Sequence, residues 1–208
     1  MTEPRFFSFD GVDGGGKTTQ IRLFSDWLRE QGRETLLCRD PGSTELGERV
    51  RDLLLNSTDV PIGFRAEMLL YMAARAQLVE QVVRPALEAG KVVISDRFLL
   101  ANVVYQGHAG GLEPEQLWQV GRVATGGLLP DVTFVLDIDP QRGAARRTGK
   151  PDRLEQRSVE YFERVRAGFR REAEGQPERY AVIDADQPLE RVTQQIREAA
   201  VARGLVAR

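Results

Sequence analysis

The segment Gly11–Thr18 has the residue types and spacing of a loop that binds phosphate. It reads Gly-Val-Asp-Gly-Gly-Gly-Lys-Thr and matches the pattern G-x-x-x-x-G-K-[ST], the P-loop. Its glycines let the backbone turn several N–H groups inward around an anion, and a helix starting at Lys17 adds the positive end of its dipole. The apolar run Phe6–Phe9 precedes the loop and a helical pattern follows it, so the flanks favour a P-loop over a chance glycine-rich turn.

Each residue type in this loop has its own predicted task. Lys17 should reach the β- and γ-phosphates of a nucleotide, and the Thr18 hydroxyl should bind Mg²⁺. The sequence therefore predicts ATP as phosphoryl donor, with Mg²⁺ as its cofactor. The predicted ATP-binding residues are Gly11, Gly14, Gly15, Gly16, Lys17, Thr18 and Thr19.

A second basic stretch follows the fourth predicted strand and indicates a lid at about 140–153. Its basic residues are Arg142, Arg146, Arg147, Lys150 and Arg153. Phosphoryl transfer needs positive charge over the migrating group, and a lid that closes would also exclude water. The chain is rich in arginine throughout, with 26 arginines and three lysines. The charge of this stretch by itself therefore supports a solvated helix as well as it supports a lid.

Short apolar runs alternate with segments of helical periodicity along the chain, which predicts an α/β fold. The runs are Arg5–Asp10, Glu34–Arg39, Lys91–Ser95, Val132–Ile138 and Arg179–Ile183. The predicted helices are Lys17–Gln31, Glu45–Leu55, Phe64–Ala89, Pro114–Thr125, Gln156–Glu174 and Leu189–Ala202. Runs that are apolar on both sides suit a parallel sheet. We expect a three-layer sandwich, with a five-stranded parallel sheet flanked by helices, in which Pro85 ends or bends the third helix.

The predicted loops after the strands lie where an open α/β sheet places its site. These loops are Gly11–Gly16, Asp40–Thr44, the segment from Asp96 onward and Pro140–Asp152. The 208 residues fit a single P-loop kinase domain, 1–208, with no internal boundary.

The composition argues against several classes of partner. A net charge of −2 disfavours a bulk electrostatic grip on nucleic acid or on an acidic membrane. The single cysteine, Cys38, excludes an internal disulfide and is expected to be a buried strand residue. No signal peptide and no membrane-spanning apolar run are visible, so the expected location is cytoplasmic.

Five segments, in order, resemble the motifs of the thymidylate kinase family, which are P-loop nucleoside monophosphate kinases. They are Phe9–Thr19, like its phosphate loop; Arg39–Thr44, like R-E-P-G-G-T; Leu70–Gln77, like F-x-A-x-R; Asp96–Gly107, like D-R-[YH]-x-x-S-x-x-A-Y-Q; and Asp152–Glu155, like D-R-x-E. The chain departs from these motifs at Asp40, Ser43, Tyr71 and Ala101. The resemblance implies the P-loop NTPase fold and covers most of the chain.

The resemblance implies roles around the phosphate of an acceptor, dTMP. Arg97 would contact that phosphate with both arms of its guanidinium, and Arg39 would add positive charge nearby. Asp13 would position the acceptor phosphate and the Mg²⁺ or water around it. Asp96 would belong to the metal site together with Thr18. An alternative from the residues themselves is that Arg97 only pairs with its neighbour Asp96.

It also implies contacts with the sugar and base. Tyr71 would stack on thymine, although an aromatic in an apolar helical stripe is more often a core residue. Arg75 would donate to O4 of the base, and Asn102 or Gln106 would pair with the base edge. Tyr105 would pack against C2′ of the deoxyribose and disfavour a 2′-hydroxyl.

The resemblance further assigns the lid. Asp152, Arg153 and Glu155 would order it. One subgroup of the family has an arginine at the position of Gly14 and lacks a catalytic lid arginine. A glycine here resembles the other subgroup, in which a lid arginine contacts ATP, and both Arg146 and Arg147 are candidates.

The predicted reaction is transfer of the γ-phosphoryl group of ATP to dTMP, in dTTP biosynthesis. One alternative is a kinase of the same fold acting on a deoxynucleoside or another monophosphate. Another is a nucleotide-dependent switch protein, but the N-K-x-D motif of guanine-binding switches is missing from the sequence. The resemblance implies a homodimer through helices that flank the sheet. The stripe Ala66, Leu69, Ala73 and Ala76 could serve, or could face the chain's own sheet.

Overall fold

The computed structural model describes residues 5–56, 61–146, 153–154 and 156–206. Its five strands form one sheet with every pair parallel, in the order β2-β3-β1-β4-β5. The strands are β1 (Phe6–Gly11), β2 (Thr35–Arg39), β3 (Val92–Asp96), β4 (Val132–Asp137) and β5 (Tyr180–Asp184). The predicted fold class is confirmed, and each strand lies within about one residue of its predicted run.

Helices cover the sheet and connect its strands. They are α1 (Lys17–Glu30), α2 (Glu45–Leu55), α3 (Phe64–Leu78), α4 (Arg84–Glu88), α5 (Leu99–Asn102), α6 (Pro114–Thr125), α7 (Pro140–Arg146), α8 (Val159–Gly175) and α9 (Leu189–Ala202). Two π-helical segments, Val79–Val83 and Val103–His108, continue α3 and α5. Within the described residues, no helix is both long enough and apolar enough to cross a membrane.

The third predicted helix has an irregular turn next to Pro85, where the sequence predicts an end or a bend. The helical path does not end there but runs through the π-helical turn Val79–Val83 into α4, where Pro85 lies in the first turn. A proline has no N–H to donate to the preceding turn, and its ring needs extra room there. The wider π-helical turn lies immediately before the proline, where that room is needed.

Two helices lie in segments that the sequence pattern predicts as loops. Residues Leu99–His108 are helical, and α5 is buried on all sides. A helix with no exposed face lacks the alternation of apolar and charged residues that identifies a helix from its sequence. The predicted lid begins as helix α7, whose first N–H groups are capped by the Asp139 carboxylate, at 3.0 Å from Gln141 N.

Side chains of the central strand β1 pack against the core on both faces of the sheet. Phe7 and Phe9 lie against Phe24 of α1, with ring centroids 5.1 and 5.7 Å away. Phe6 lies in the other core cluster, with its ring 5.0 Å from that of Phe98. The strand is therefore buried on both faces, which explains why its sequence does not alternate.

The parallel arrangement puts the carboxyl ends of the strands at one edge of the sheet. Asp96, the last residue of β3, is paired in the sheet with Phe9 of β1. Asp10 is the next residue of β1, so the two carboxylates lie near the same edge. Cys38, near the end of β2, is buried as predicted, and burial raises the pKa of its thiol to about 12. The loops that follow these strand ends carry the candidate site.

Candidate active site

The loop between β1 and α1 has the conformation that its glycines allow. Gly11, Gly14 and Gly16 have φ values of 125°, 83° and 84°, which other residues rarely adopt. A Cβ on Gly11 would lie 2.3 Å from the carbonyl oxygen of Leu136, so β1 and β4 approach too closely there for any side chain. Helix α1 starts directly after the loop at Lys17, which leaves its first N–H groups available to an anion.

Lys17 lies buried across this loop. Its Nζ donates to the carbonyl oxygens of Gly11 and Val12, at 3.1 and 3.0 Å, and lies 3.4 Å from Asp13 Oδ1. Burial, and then the nearby Arg97, lower its pKa, while Asp13 opposes that shift. The ammonium is thus held at the loop by backbone acceptors, in reach of an anion that enters it.

Gly14 joins the phosphate loop to helix α7. A Cβ on Gly14 would lie 1.9 Å from the carbonyl oxygen of Gly143, and a Cβ on Gly143 would lie 2.6 Å from that of Asp13. The two backbones therefore touch, and each glycine is needed for the contact. The start of the predicted lid is consequently packed against the loop that it is predicted to cover.

We expect Gly14→Ala to lower the free energy of unfolding by about 2–4 kcal/mol, because a left-handed alanine and overpacking against α7 both cost stability. Gly32→Ala is the matched control, since Gly32 also has a positive φ, 74°, but nothing lies within 4 Å of its Cβ position. The control should lose only about 1–2 kcal/mol. Urea unfolding measures both, and equal losses would contradict a tight contact at Gly14.

Arg97 is paired with Asp13 and not with its neighbour Asp96. Its Nη2 donates to Asp13 Oδ1 at 2.6 Å and to the Tyr105 hydroxyl at 3.3 Å, and its Nη1 donates to the Gly11 carbonyl at 3.0 Å. The backbone of Arg97 is left-handed, with φ 66°. Burial would raise the pKa of Asp13, but Arg97 and then Lys17 outweigh it and hold that pKa well below its usual range.

Asp10 is a buried carboxyl beneath this pair. Neither of its carboxyl oxygens has a hydrogen-bond partner among the described residues. Burial raises its pKa to about 7, although Arg97 and Lys17 act in the opposite direction. Asp10 is therefore close to half protonated near neutral pH, unlike Asp13.

The raised pKa of Asp10 predicts a loss of stability with rising pH. In the unfolded chain this carboxyl ionises near the ordinary aspartate pKa of 3.8, whereas in the folded protein it ionises near 7, so the folded state binds more protons in between. This group should lower the free energy of unfolding by on the order of 4 kcal/mol between about pH 4 and about pH 8. In urea unfolding, Asp10→Asn should lack that decline. An identical pH dependence in the variant would contradict the shifted pKa.

A cavity of about 210 Å³ opens beside Arg97 and collects most of the predicted acceptor residues. Those that line it are Asp13, Tyr71, Arg75, Arg97, Asn102, Tyr105 and Gln106. They come from the phosphate loop, from α3 and from the segment that follows β3, which includes Arg97 and the helical residues after it. Asp40, Arg51 and Phe162 also line it and were not predicted as site residues.

Polar groups form one end of this cavity. Arg75 is fully buried, and its Nε donates to Asp40 Oδ2 at 2.5 Å while its Nη1 donates to Asn102 Oδ1 at 3.2 Å. Burial raises the pKa of Asp40, and Arg75 opposes the shift. Because Arg75 is buried and paired, it is not the surface arginine that its sequence context also allowed.

The two tyrosines occupy different parts of the cavity wall. Tyr71 is half-buried and packs beside the small cluster of Val50, Leu54 and Ala74, so it both lines the cavity and belongs to a core. The Tyr105 ring lies 5.1 Å from the guanidinium carbon of Arg97. Tyr105 is therefore close to the phosphate end, and Tyr71 lies in the helix that carries Arg75.

A larger, more open cavity of about 1030 Å³ adjoins the first and contains the phosphate loop. Predicted residues that line it include Gly14, Gly16, Lys17, Thr18, Thr19, Arg39, Asp96 and Arg146. Asp13 and Arg97 line both cavities, so the pair lies where the two meet. Arg39 lines the larger cavity but not the smaller one. It is half-exposed, and its Nη2 donates to Glu48 Oε2 at 2.6 Å.

Thr18 and Asp96 are suited to Mg²⁺. Both line the larger cavity, and no hydrogen bond or ion pair with another described residue uses the Asp96 carboxylate or the Thr18 hydroxyl. Hard oxygen donors of this kind, together with phosphate oxygens and water, are what Mg²⁺ takes. No group of three or more acidic, histidine or cysteine side chains that could hold a metal occurs in the described part of the chain.

Only part of the predicted lid is described. Arg146 lines the larger cavity, and its guanidinium donates to the carbonyl of Ala185 at 3.0 Å and to Asp186 at 3.1 Å. Arg153 donates to Glu67 Oε2 at 2.5 Å and to the Leu54 carbonyl at 2.7 Å. Arg147, Lys150, Asp152 and Glu155 lie outside the described residues.

Glu67, which was not predicted from the sequence, lies at the centre of a charged group behind the small cavity. Its fully buried carboxylate accepts from Arg153, Arg157 and Gln106. The available signal was an acidic residue beside Met68 in a helix whose other buried residues, apart from Arg75, are apolar. A buried carboxylate requires partners, but its neighbours in sequence do not identify them.

Three kinds of comparison with known proteins agree on one family. The family model described as Thymidylate kinase matches residues 9–196. The thymidylate kinase of Symbiobacterium thermophilum is 47% identical over 193 residues, which are 92% of this chain and 90% of the relative. That of Rhodopirellula baltica is 45% identical over 192 residues, 92% of this chain and 78% of the relative. The crystal structure of thymidylate kinase from Ehrlichia chaffeensis superposes with a TM-score of 0.77 at 30% identity, covering 94% of this chain and 98% of that one.

Proposed function

Because the chain belongs to the thymidylate kinase family, we propose that it transfers the γ-phosphoryl group of ATP to dTMP, giving ADP and dTDP, in dTTP biosynthesis. One observation carries the proposal beyond the family name. A cavity with amide and guanidinium groups at one end and the Arg97–Asp13 pair at the other opens next to the phosphate loop. A nucleoside monophosphate has the matching sequence of base, sugar and phosphate.

The phosphate loop is the donor site in this proposal. Its N–H groups and the start of α1 would surround the phosphates of ATP, and Lys17 would exchange its backbone acceptors for the β- and γ-oxygens. A cation already held in place needs little reorganisation as negative charge develops on the transferred group.

Arg97 would hold the acceptor phosphate. Its guanidinium lies where the two cavities meet, and Asp13 and Tyr105 fix its orientation. A phosphate there would face the donor loop across a short gap, as in-line transfer requires. The ionised Asp13 would keep Arg97 in place, and it would orient water or metal beside the acceptor oxygen.

Thymine would lie against Tyr71, with its edge toward Arg75 and Asn102. Thymine presents an acceptor, O4, next to a donor, N3–H. Arg75 supplies donors only, and Asn102 Oδ1 is an acceptor 3.2 Å from the Arg75 Nη1. The two protein groups therefore have the order that the thymine edge requires.

We propose further that Thr18 and Asp96 hold Mg²⁺ and that a lid arginine, Arg146 or Arg147, reaches the ATP phosphates. The metal would supply neutralising charge at the β- and γ-phosphates. Arg146 lines the phosphate cavity, which supports it as a candidate. The single domain of 1–208, its lid at about 140–153 and the cytoplasmic location also remain proposals.

We propose a homodimer through helix α3. Ala66, Leu69 and Ala73 are exposed on one side of α3, and the Leu69 side chain is 51% exposed. The predicted stripe therefore does not face the chain's own sheet at these positions. We expect Leu69→Asp to convert a dimer to a monomer in sedimentation velocity, because a charge would be buried in the interface. Val123→Asp, on the neighbouring helix α6, is a second probe because that side chain is 83% exposed, and an unchanged mass for both variants would contradict an interface here.

The test of the proposed function is an ADP-release assay with dTMP, dUMP, dCMP, dGMP and dAMP. The expected result is release that depends on the monophosphate and is fastest for dTMP. Equal rates for all acceptors would contradict the proposal. Thymidine is the control for the alternative, since comparable turnover of the nucleoside would favour a deoxynucleoside kinase.

A further inference from the structure

A chain of side-chain hydrogen bonds runs behind the base end of the small cavity, from Arg75 to Glu67. Arg75 Nη1 donates to Asn102 Oδ1 at 3.2 Å, and Asn102 Nδ2 donates to Gln106 Oε1 at 2.5 Å. Gln106 Nε2 then donates to Glu67 Oε1 at 2.7 Å. We call these four residues the amide chain, and all four side chains are buried.

The chemistry of its two ends determines the direction of the amide chain. A guanidinium can only donate hydrogen bonds, and a carboxylate can only accept them. The two amides between them could each be turned by 180°, but only one arrangement satisfies every contact. A donor at the Arg75 end and an acceptor at the Glu67 end therefore hold Asn102 Oδ1 beside Arg75 and Gln106 Nε2 beside Glu67.

Both ends are themselves held by opposite charges. Arg75 donates to the buried Asp40 carboxylate at 2.5 Å. Glu67 accepts from Arg153 at 2.5 Å and from Arg157 at 2.9 and 3.0 Å, and its side chain is 0% exposed. The end groups cannot turn away into solvent, so the polarity that they impose is stable.

We propose that Glu67 is a positioning residue that sets base selectivity through Gln106 and Asn102. This inference rests on the proposed function and adds a residue that does not itself line the small cavity. The order of donor at Arg75 and acceptor at Asn102 matches O4 and N3–H of thymine and of uracil. Cytosine has the opposite order, with an N4 amino donor beside the N3 acceptor. Glu67 thus selects against cytosine and is indifferent between thymine and uracil.

The test is Glu67→Gln, measured as kcat/KM for dTMP, dCMP and dUMP. A glutamine keeps only one carbonyl oxygen, and the two arginines at the Oε2 position, Arg153 at 2.5 Å and Arg157 at 3.0 Å, should hold it there. The NH2 group of Glu67→Gln then faces Gln106, so the chain has donors at both ends and one contact must be mismatched. The ratio of kcat/KM for dTMP to kcat/KM for dCMP should fall about tenfold or more, mainly because the KM for dTMP rises. The ratio of dTMP to dUMP should stay the same. An unchanged dTMP to dCMP ratio would overturn the proposal.

Two variants separate selectivity from structure. Glu67→Asp keeps an acceptor-only end, so the dTMP to dCMP ratio should remain high even if the rate falls. Glu172→Gln makes the same chemical change at another largely buried carboxylate, which accepts from Trp118 and pairs with His108 outside the site. The dTMP to dCMP ratio of Glu172→Gln should equal that of the wild type. A loss of selectivity in Glu172→Gln would show a general effect of burying a glutamine and would overturn the role of Glu67.

A double-mutant cycle asks whether Glu67 acts through Gln106. In the background Gln106→Met, which removes the amide at similar size, Glu67→Gln should no longer change the dTMP to dCMP ratio. The same fall in both backgrounds would overturn the route through Gln106.

The wild-type protein gives a test that needs no folded variant and no turnover. In ¹H–¹⁵N spectra, the Gln106 side-chain amide protons should exchange slowly with solvent, because one is bound to Glu67 inside the core. Rapid exchange would overturn the amide chain. The result is separate from the proposed function, which fails if the wild type does not prefer dTMP. The inference fails if a dTMP-selective wild type is matched by an equally selective Glu67→Gln.

Discussion

Replacing Lys17 by alanine should lower kcat by about 10³-fold or more and leave the fold intact. The Lys17 ammonium is the buried cation held across the phosphate loop, at 3.1 and 3.0 Å from the Gly11 and Val12 carbonyls. It can exchange these acceptors for phosphate oxygens without leaving its position. Without it, the charge that develops on the transferred group would lose its nearest fixed cation, and water would be a poor substitute.

Two controls accompany this variant. Lys91→Ala removes a second lysine, which forms a surface pair with Glu34 away from the site, so its turnover should be that of the wild type. Lys17→Arg keeps the charge but presents a larger, planar group, so it should recover only part of the rate. Circular dichroism and urea unfolding show whether the alanine variant is folded. A folded Lys17→Ala with near-normal kcat would refute the role of Lys17 at the transferred phosphate.

Replacing Arg97 by alanine should lower kcat/KM for dTMP by about 30- to 1000-fold, the cost of removing one partner of a buried charged contact. The KM for dTMP should rise far more than the KM for ATP, because Arg97 lies at the end of the acceptor cavity. Its φ of 66° matters for the choice of variant. Alanine has the same strain in a left-handed conformation as arginine, whereas glycine would relieve it and change stability for a separate reason.

Arg97→Lys tests the geometry of the contact. A lysine keeps the positive charge but cannot make the paired contacts of a guanidinium with Asp13 and a phosphate, so it should restore less than the full affinity for dTMP. Arg203→Ala is the distant control, since Arg203 donates to the backbone carbonyls of Ala199, Pro177 and Tyr180 and lines neither cavity. An unchanged KM for dTMP in Arg97→Ala would remove Arg97 from the acceptor site.

Much of the fold follows from features that are local in sequence. Buried strands of a parallel sheet are short apolar runs, and helices with one exposed face have a clear period, so both types were predictable. The failures have the same origin. Leu99–Gly107 is helical but buried throughout, so it has no solvent-exposed face to reveal its period. The sequence left open whether the helix ends or bends at Pro85, and a π-helical turn before the proline lets the helical path continue.

The candidate site was predictable to the extent that its residues sit in motifs. The phosphate loop and Arg97 line the larger cavity, and Tyr71, Arg75, Asn102, Tyr105 and Gln106 line the smaller one, so the motif segments identified residues that the fold brings together. The roles of these residues in the reaction stay predictions. Asp40 and Glu67 were not found as site residues, because a buried acid is recognised by the groups around it.

The sequence by itself determined the phosphate loop, the positions of the five strands along the chain, the helices that have one exposed face, and the resemblance to the family motifs. Each of these depends on residues close together in the chain, whose spacing is visible directly. Only the tertiary structure decided which charges pair. Arg97 bonds to Asp13, 84 positions away, instead of to adjacent Asp96, and Glu67 holds Arg157 across 90 positions. Parallel strands with long crossovers bring such distant groups to one edge of the sheet, and burial there leaves each charge only the partner that the packing supplies.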